Sequence, residues 1–355
     1  MSGRPPRGAR HPVPVRGLAL AALLMAAPAA AQEGDSRELR VGGLAFGDLY
    51  YVASHHTDEG EGAAGAVLRR GYFTVDADAS RLWFGRFRLE LNQAGEFETY
   101  TFTLDVKDLY VGLRPGQHRV LLGMSPTPTF DLIESIWGLR YLAKTPLDLQ
   151  GVASRDVGLS AQGPLNGAGT LRYRTMLGTG LEFGSESGDG RKLMGALTWQ
   201  PAPRWTVDLY GDYEVLSGPT DRATVQVFAG YRTEGLRWGV QYANQDRQDD
   251  PPLELASAFA VGRVGRHVSL VGRVDRLIEP SPKGDAIDYL PMDPSVPATL
   301  LLGGVELRLA AWLKLTPNTV VTIYDQGDDG VRPRTDIHLR LTVFLDFEGA
   351  VTVYP

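Results

Sequence analysis

Arginines two residues apart are the groups in this chain best placed to do chemistry. Arg86 and Arg88, and again Arg172 and Arg174, stand at i and i+2 in stretches of alternating character. On an extended strand that spacing points both side chains to one side. A guanidinium keeps its charge at any working pH and forks onto carboxylate or phosphate oxygens. Such pairs either attract anions or neutralise nearby acids. Arg237, Arg273, Arg308 and Arg340 occupy the same phase of later stretches, and so do the acids Glu90, Asp208, Asp212, Glu214, Asp275 and Glu306. A second group gathers between Met124 and Arg155: Phe130, Asp131, Glu134, Arg140, Lys144, Asp148 and Arg155.

Other reactive arrangements are few. His55-His56, with Asp58 and Glu59 nearby, can be read as a base or a metal site, since histidine is the common metal ligand. Exposed loop polarity is the plainer reading. Asp325-Gln326-Gly327-Asp328-Asp329 gathers carboxylates suited to calcium but lacks the EF-hand spacing. The sequence has no G-x-S-x-G elbow, no H-E-x-x-H and no P-loop. With no cysteine there is no thiol nucleophile, no disulfide and no Cys-ligated metal. No catalytic residue, metal or cofactor is therefore expected, and an enzyme is not the favoured class. A barrel hydrolase and a closed structural or adhesin barrel remain as alternatives.

The elements that must position these residues are strands. Trp83, Phe87, Leu89 and Leu91 share one phase of 82–92, against Arg86, Arg88, Glu90 and Asn92. The stretches 205–214 and 337–347 repeat the pattern. Strict alternation marks a half-buried strand, and runs near ten residues are the length that crosses a bilayer. Sixteen such runs are expected, near 41–53, 68–77, 82–93, 100–113, 118–123, 154–164, 170–182, 192–200, 204–216, 222–233, 235–246, 254–263, 266–278, 299–310, 312–324 and 335–347. The link after every even run is short, and the link after most odd runs is longer and polar. That asymmetry is the pattern of a transmembrane antiparallel β-barrel. It explains a mean hydropathy of −0.15 in a membrane protein, because one face meets lipid and the other water. Trp83, Trp199, Trp205, Trp238 and Trp312 lie near short links, as an aromatic girdle requires. Two places break phase. Trp312 shares its phase with Lys314, so it either points inward or sits at a bulge. Asp108 shares a phase with Phe102, Leu104 and Val106, so a bulge is expected near Lys107.

Residues 1–31 read as a cleavable export signal: Arg4, Arg7, Arg10 and Arg16, an apolar run from Leu18 to Ala30, then an A-x-A site. Without those four arginines, 32 basic residues face 42 acidic ones, near −10. That charge disfavours nucleic acid as a partner. The barrel is expected over 32–347, with a tail at 348–355 after Phe347. Sixteen strands leave an aqueous lumen. The third long loop, about 124–153, carries Phe130, Leu132, Ile133, Ile136, Trp137 and Leu139 at spacings suited to a short helix. So apolar a loop is expected to fold into the lumen. The alternative is an external cap or a subunit contact.

Asp108-Leu109-Tyr110-Val111-Gly112, then Val120 to Glu134, then Ser154-Arg155-Asp156-Val157-Gly158-Leu159 resemble a Gram-negative outer-membrane porin, and more narrowly the phosphate-selective porin O/P family. The S-R-D-hydrophobic-G exit of loop three matches. In the approach, Ser125 and Thr127 stand where that family has a lysine. The resemblance implies a homotrimer in the outer membrane, in contact with lipid and lipopolysaccharide. It implies a channel for small hydrophilic solutes or anions such as phosphate, and an arginine wall facing loop acids. Arg86, Arg88, Arg172 and Arg174 are the candidates for that wall, and Asp131 and Glu134 for the acids. With five lysines in the whole chain, no lysine cluster forms, so weak selectivity is expected.

Overall fold

The computed structural model describes residues 37–93, 102–152, 154–180, 190–216 and 221–353. The expected signal, residues 1–31, lies outside the described residues. Sixteen strands form one closed antiparallel barrel: β1 (Arg37–Ser54), β2 (Ala64–Asp78), β3 (Trp83–Gln93), β4 (Phe102–Leu113), β5 (Arg119–Pro126), β6 (Arg155–Pro164), β7 (Leu171–Gly178), β8 (Arg191–Trp199), β9 (Trp205–Val215), β10 (Arg222–Arg232), β11 (Leu236–Asp246), β12 (Leu253–Arg263), β13 (Val268–Leu277), β14 (Ala298–Arg308), β15 (Leu313–Tyr324) and β16 (Asp336–Val353). Each strand pairs with its sequence neighbours, and β1 pairs with β16 to seal the ring. β16 runs past Phe347, and Val353 pairs with Arg37. The segment expected as a tail therefore extends the closing strand as far as Val353.

Outward residues are apolar and exposed, among them Leu104 (65%), Leu122 (61%) and Leu193 (60%). The tryptophans gather at the short-turn end. Trp205 meets Trp238 edge-on at 5.4 Å, and Trp312 stacks on Phe347 at 5.5 Å. Trp312 is exposed, so it points outward. It sits in the turn before Leu313, where strand alternation does not yet govern it. The bulge at Lys107 is present: Arg88 pairs with Asp108 while Leu89 pairs with Val106. The extra residue turns both Lys107 and Asp108 to the inside, where both are buried.

The inner face divides in two. On β2–β9 it is charged, with Arg70, Glu90, Asp108, Lys192, Asp208 and Asp212 all buried. On β10–β15 it is largely apolar, with Phe228, Leu255, Phe259, Val261, Leu300 and Leu302 in one cluster. The cluster is completed by two loops folded inward, loop three and loop 278–297. They contribute Ile133, Ile136, Trp137, Leu142 and Leu147, and Ile287, Leu290 and Met292.

Candidate functional site

Loop three starts at Thr127, because β5 extends to Pro126. It holds two short helices, α1 (Asp131–Trp137) and α2 (Pro146–Leu149). Ile133, Ile136 and Trp137 fall three and four apart on one side of α1 and are buried. α1 ends at Gly138, whose φ of 64° suits glycine and whose N–H donates to Glu134 O. α2 opens on Pro146 at its first turn, a position that needs no N–H donor. Trp137 is 1% exposed and meets Phe259 edge-on at 5.1 Å. Its indole N–H donates to Ala143 O at 2.9 Å, which folds the loop back on itself. Full burial of each such side chain contributes about 1.5–3 kcal/mol, so the loop packs on the wall as expected.

Wall arginines fasten the loop's backbone. Arg237 donates to Trp137 O at 2.9 Å, at the carbonyl end of α1. Arg273 donates to Lys144 O at 2.6 Å, and Arg232 to Ser135 O at 3.1 Å. Arg174 reaches Pro128 O at 3.3 Å, and Arg69 binds the carbonyls of Tyr141 and Leu142. Arg340 does the same for Tyr289 O of loop 278–297. Four arginines read from the sequence as pore charges, Arg174, Arg237, Arg273 and Arg340, are thus committed to loop carbonyls.

The remaining predicted groups disperse. Arg86 pairs with Asp76 at 2.6 Å, Arg88 with Asp108 at 3.3 Å and Arg155 with Asp108 at 2.5 Å. Arg174 also holds Asp208 at 2.9 Å. Arg172 is exposed near the short-turn end, beside Arg114, His118 and Arg119. Glu134 does not face this wall across open space; it pairs with Arg140 of its own loop at 2.5 Å, and Arg140 also binds Asp148. Asp131 is exposed in the first turn of α1. Phe130 is buried beneath the guanidinium groups of Arg140 and Arg155. The expected wall-against-acids arrangement is not formed: Arg86, Arg88 and Arg174 each have a carboxylate in closer reach, and Arg172 lies apart at the short-turn end.

Loop three's charges carry the marks of burial. Burial would raise Asp148, but Arg140 and Lys144 outweigh it and hold the carboxyl below its usual range. Burial raises Glu134 against the pull of Arg140. Burial lowers Lys144, with Arg70 and Arg140 adding to the effect, to about 8 despite Asp148. Lys144 lies 3.8 Å from Asp288 of the other inward loop. Between these two loops is a space of about 20 Å³ lined by Arg69, Arg70, Arg140, Lys144 and Asp288.

Beneath α1, at the short-turn end, lies a chamber of about 1070 Å³. Among the described residues, Arg204, Arg232, Arg237, Arg263 and Arg308 line it against one acid, Glu234. Arg232 and Arg237 sit directly opposite each other in the ladder, an arrangement that like charges disfavour. Arg204, Arg232 and Arg263 were not singled out from the sequence. Their signal was present: an arginine recurs at inward strand ends beside successive short turns.

The histidine doublet is not exposed polarity. His55 is 4% exposed and the His56 side chain 3%. Asp58 points elsewhere, to Arg334. The carboxylates that meet His56 come from distant sequence, Asp336 at 3.0 Å and Asp285 at 2.9 Å.

The architecture is similar to several solved outer-membrane proteins. The anion-selective porin from Comamonas acidovorans matches 88% of this chain and 100% of its own, at 15% identity and a TM-score of 0.62. OmpF of Salmonella typhi, solved with daunomycin, matches 87% of this chain and 97% of its own, at 10% identity and a TM-score of 0.64. A loop L8 deletion mutant of OmpT from Vibrio cholerae matches 88% and 100%, at 12% identity and a TM-score of 0.61. No protein-family model and no curated protein sequence matches the chain.

Proposed function

We propose that this chain is an outer-membrane porin, a water-filled channel for passive diffusion of small hydrophilic solutes with a weak preference for anions. The observation that carries the reading is the arginine-lined chamber under loop three, inside a closed sixteen-strand barrel. Five guanidinium groups against one carboxylate make a positive mouth, which raises the local concentration of anions. Elsewhere Arg86, Arg88, Arg155 and Arg174 are paired with carboxylates, so the preference is weak and no phosphate-specific site is proposed. The likeness to an anion-selective porin and to OmpF supports the channel.

In this reading the apolar outer face meets lipid, the tryptophans lie at the headgroups, and the short turns face the periplasm. The long loops meet lipopolysaccharide, residues 1–31 direct export, and the barrels assemble as homotrimers. Single-channel recording in planar bilayers tests it. The expected result is stable conductance, with a reversal potential in a KCl gradient displaced modestly toward chloride. A strong phosphate preference refutes the weak-selectivity reading. A second reading, a closed barrel, is favoured by the narrow space between the inward loops. Folded protein that never conducts establishes that one instead.

A further inference from the structure

The histidine cluster at the long-loop end is built like a metal site. Ligand atoms of His55, His56 and Asp336 all lie within 4.8 Å of one another. Three features go beyond proximity. Asp336 is wholly buried, yet among the described residues the ion-pair partner of its carboxylate is His56, with no lysine or arginine in reach. Buried carboxylates need a paired cation or a metal. His55 Nε2 is buried and makes no hydrogen bond among the described residues. At the other nitrogen of that ring, the Thr57 N–H donates to Nδ1 at 3.1 Å and Thr57 Oγ1 lies 2.8 Å from it, which fixes the ring. Last, His56 has its Nδ1 toward Asp336 while its Nε2 meets the carboxylate of Asp285 at 2.9 Å. A carboxylate behind the imidazole is how metal-binding histidines are oriented and made more basic. Tyr324 donates to Asp336 Oδ2, and the His56 backbone N–H donates to Oδ1 at 2.6 Å, so the carboxylate is held in place.

We propose that His55, His56 and Asp336 form a binding site for a zinc-class divalent cation, with Asp285 orienting His56. Two imidazoles and a carboxylate suit zinc rather than calcium or magnesium, which take oxygen ligands. Zinc ligands at about 2.0–2.1 Å in tetrahedral array stand about 3.3 Å apart. The 3.0 Å separation of His56 Nδ1 and Asp336 Oδ2 is close to that spacing, while the widest separation in the group, at most 4.8 Å, closes by up to about 1.5 Å on binding. Gly60 packs directly against the His55 ring, where a Cβ would come within 2.4 Å of Nδ1, so the ring is confined. Bound metal would join loop 55–63 to the start of β16 and, through Asp285, to the inward loop 278–297.

The test is calorimetric titration of zinc chloride into the tag-free full chain in detergent. One saturable zinc per chain is expected, unaffected by excess calcium or magnesium. His56→Ala and Asp336→Asn should each weaken it at least about tenfold. His118→Ala, at the opposite end of the barrel, should leave it unchanged. Heat-modifiable gel mobility reports whether each variant is folded; if Asp336→Asn is not, His55→Gln replaces it with the same expected loss. Absence of saturable binding overturns the proposal. So does binding that survives loss of His56 and of a second ligand, or that calcium displaces. None of these readouts depends on conductance, so the channel reading stands or falls separately.

Discussion

The inner walls of β10–β15 and of β2–β9 are made by the same alternation, yet they do different work. The β10–β15 wall presents Phe228, Phe259, Val261, Leu300 and Leu302, and loop three covers it. The β2–β9 wall presents Arg86, Arg88, Asp108, Lys192 and Asp212, held in ion pairs. A lumen surface that is apolar must be covered, because water there leaves its burial incomplete. A charged surface can stay wet. Loop three is thus docked on the β10–β15 wall by apolar contacts and by Arg232, Arg237 and Arg273, while the charged wall reaches it through Arg69 and Arg174.

The sharpest way to break that comparison is Trp137→Ala. Trp137 is 1% exposed and anchors α1 on Phe259. Truncating a buried tryptophan costs about 3–5 kcal/mol. The loop should leave the wall while the barrel persists, so single-channel conductance should rise severalfold with heat-modifiability intact. Unchanged conductance would show that loop three is held by its polar contacts alone.

Next in size is Arg273→Ala. It removes the bond to Lys144 O and leaves Asp275 without its buried partner. Breaking such a pair costs about 3–5 kcal/mol at most, part of it offset here by water in the lumen. Arg86→Ala, whose pair with Asp76 is partly exposed at 27% and 23%, should cost no more than about 1 kcal/mol. Thermal unfolding of the two variants in one detergent should rank them in that order. Equal losses would erase the distinction between a clamp and a pore-lining pair. Gly239→Val should fall close behind Arg273→Ala. A Cβ there would stand 2.6 Å from Phe228 and 2.7 Å from Phe259, and overpacking costs about 1–3 kcal/mol.

These residues also show how much could be read from the sequence. The sixteen strands, the turn asymmetry, the bulge at Lys107 and the inward fold of loop three were legible, because period-two patterning and phase breaks are local signals. The two kinds of wall were not. β12 reads Leu253-Glu254-Leu255-Ala256-Ser257-Ala258-Phe259-Ala260-Val261, apolar in nearly both phases. Its inward side is distinguished by size, large residues inside and alanines outside, which a polarity count does not register. Nor does parity reveal partners. It placed Arg174, Arg237 and Arg273 on the inner face but gave no sign that loop carbonyls would take them. The inward fold of loop 278–297 and the meeting of His56 with Asp285 and Asp336 are tertiary facts, separated by more than two hundred residues.

A smaller effect is expected from the chamber. Arg263→Glu and Arg308→Glu together reverse two of its five positive charges. The reversal potential in a KCl gradient should move from the chloride side toward zero or past it, with conductance little changed. A potential that stays fixed would mean that the mouth does not set selectivity, and that the narrow space above it does.

The smallest effect tests that narrow space. Lys144 is 19% exposed and lines it with Arg69, Arg70 and Arg140. Burial, with the neighbouring arginines, brings its ammonium down to about 8. Below that pH Lys144 is charged and adds to the positive field; above it the field loses one charge. Chloride preference should therefore fall as pH rises from about 7 to about 9, across which a group with this pKa goes from about nine-tenths to about one-tenth protonated. Tyr289 nearby is pushed further up by burial, above this window, and the arginines keep their charge throughout. Lys107, buried beside Glu90, is a second amine near this space, so Lys144→Met makes the assignment: it should abolish the drift while resembling the wild-type channel at high pH. If the variant drifts as the wild type does, charge at the narrow space is not what the solute senses, and the chamber alone carries the preference.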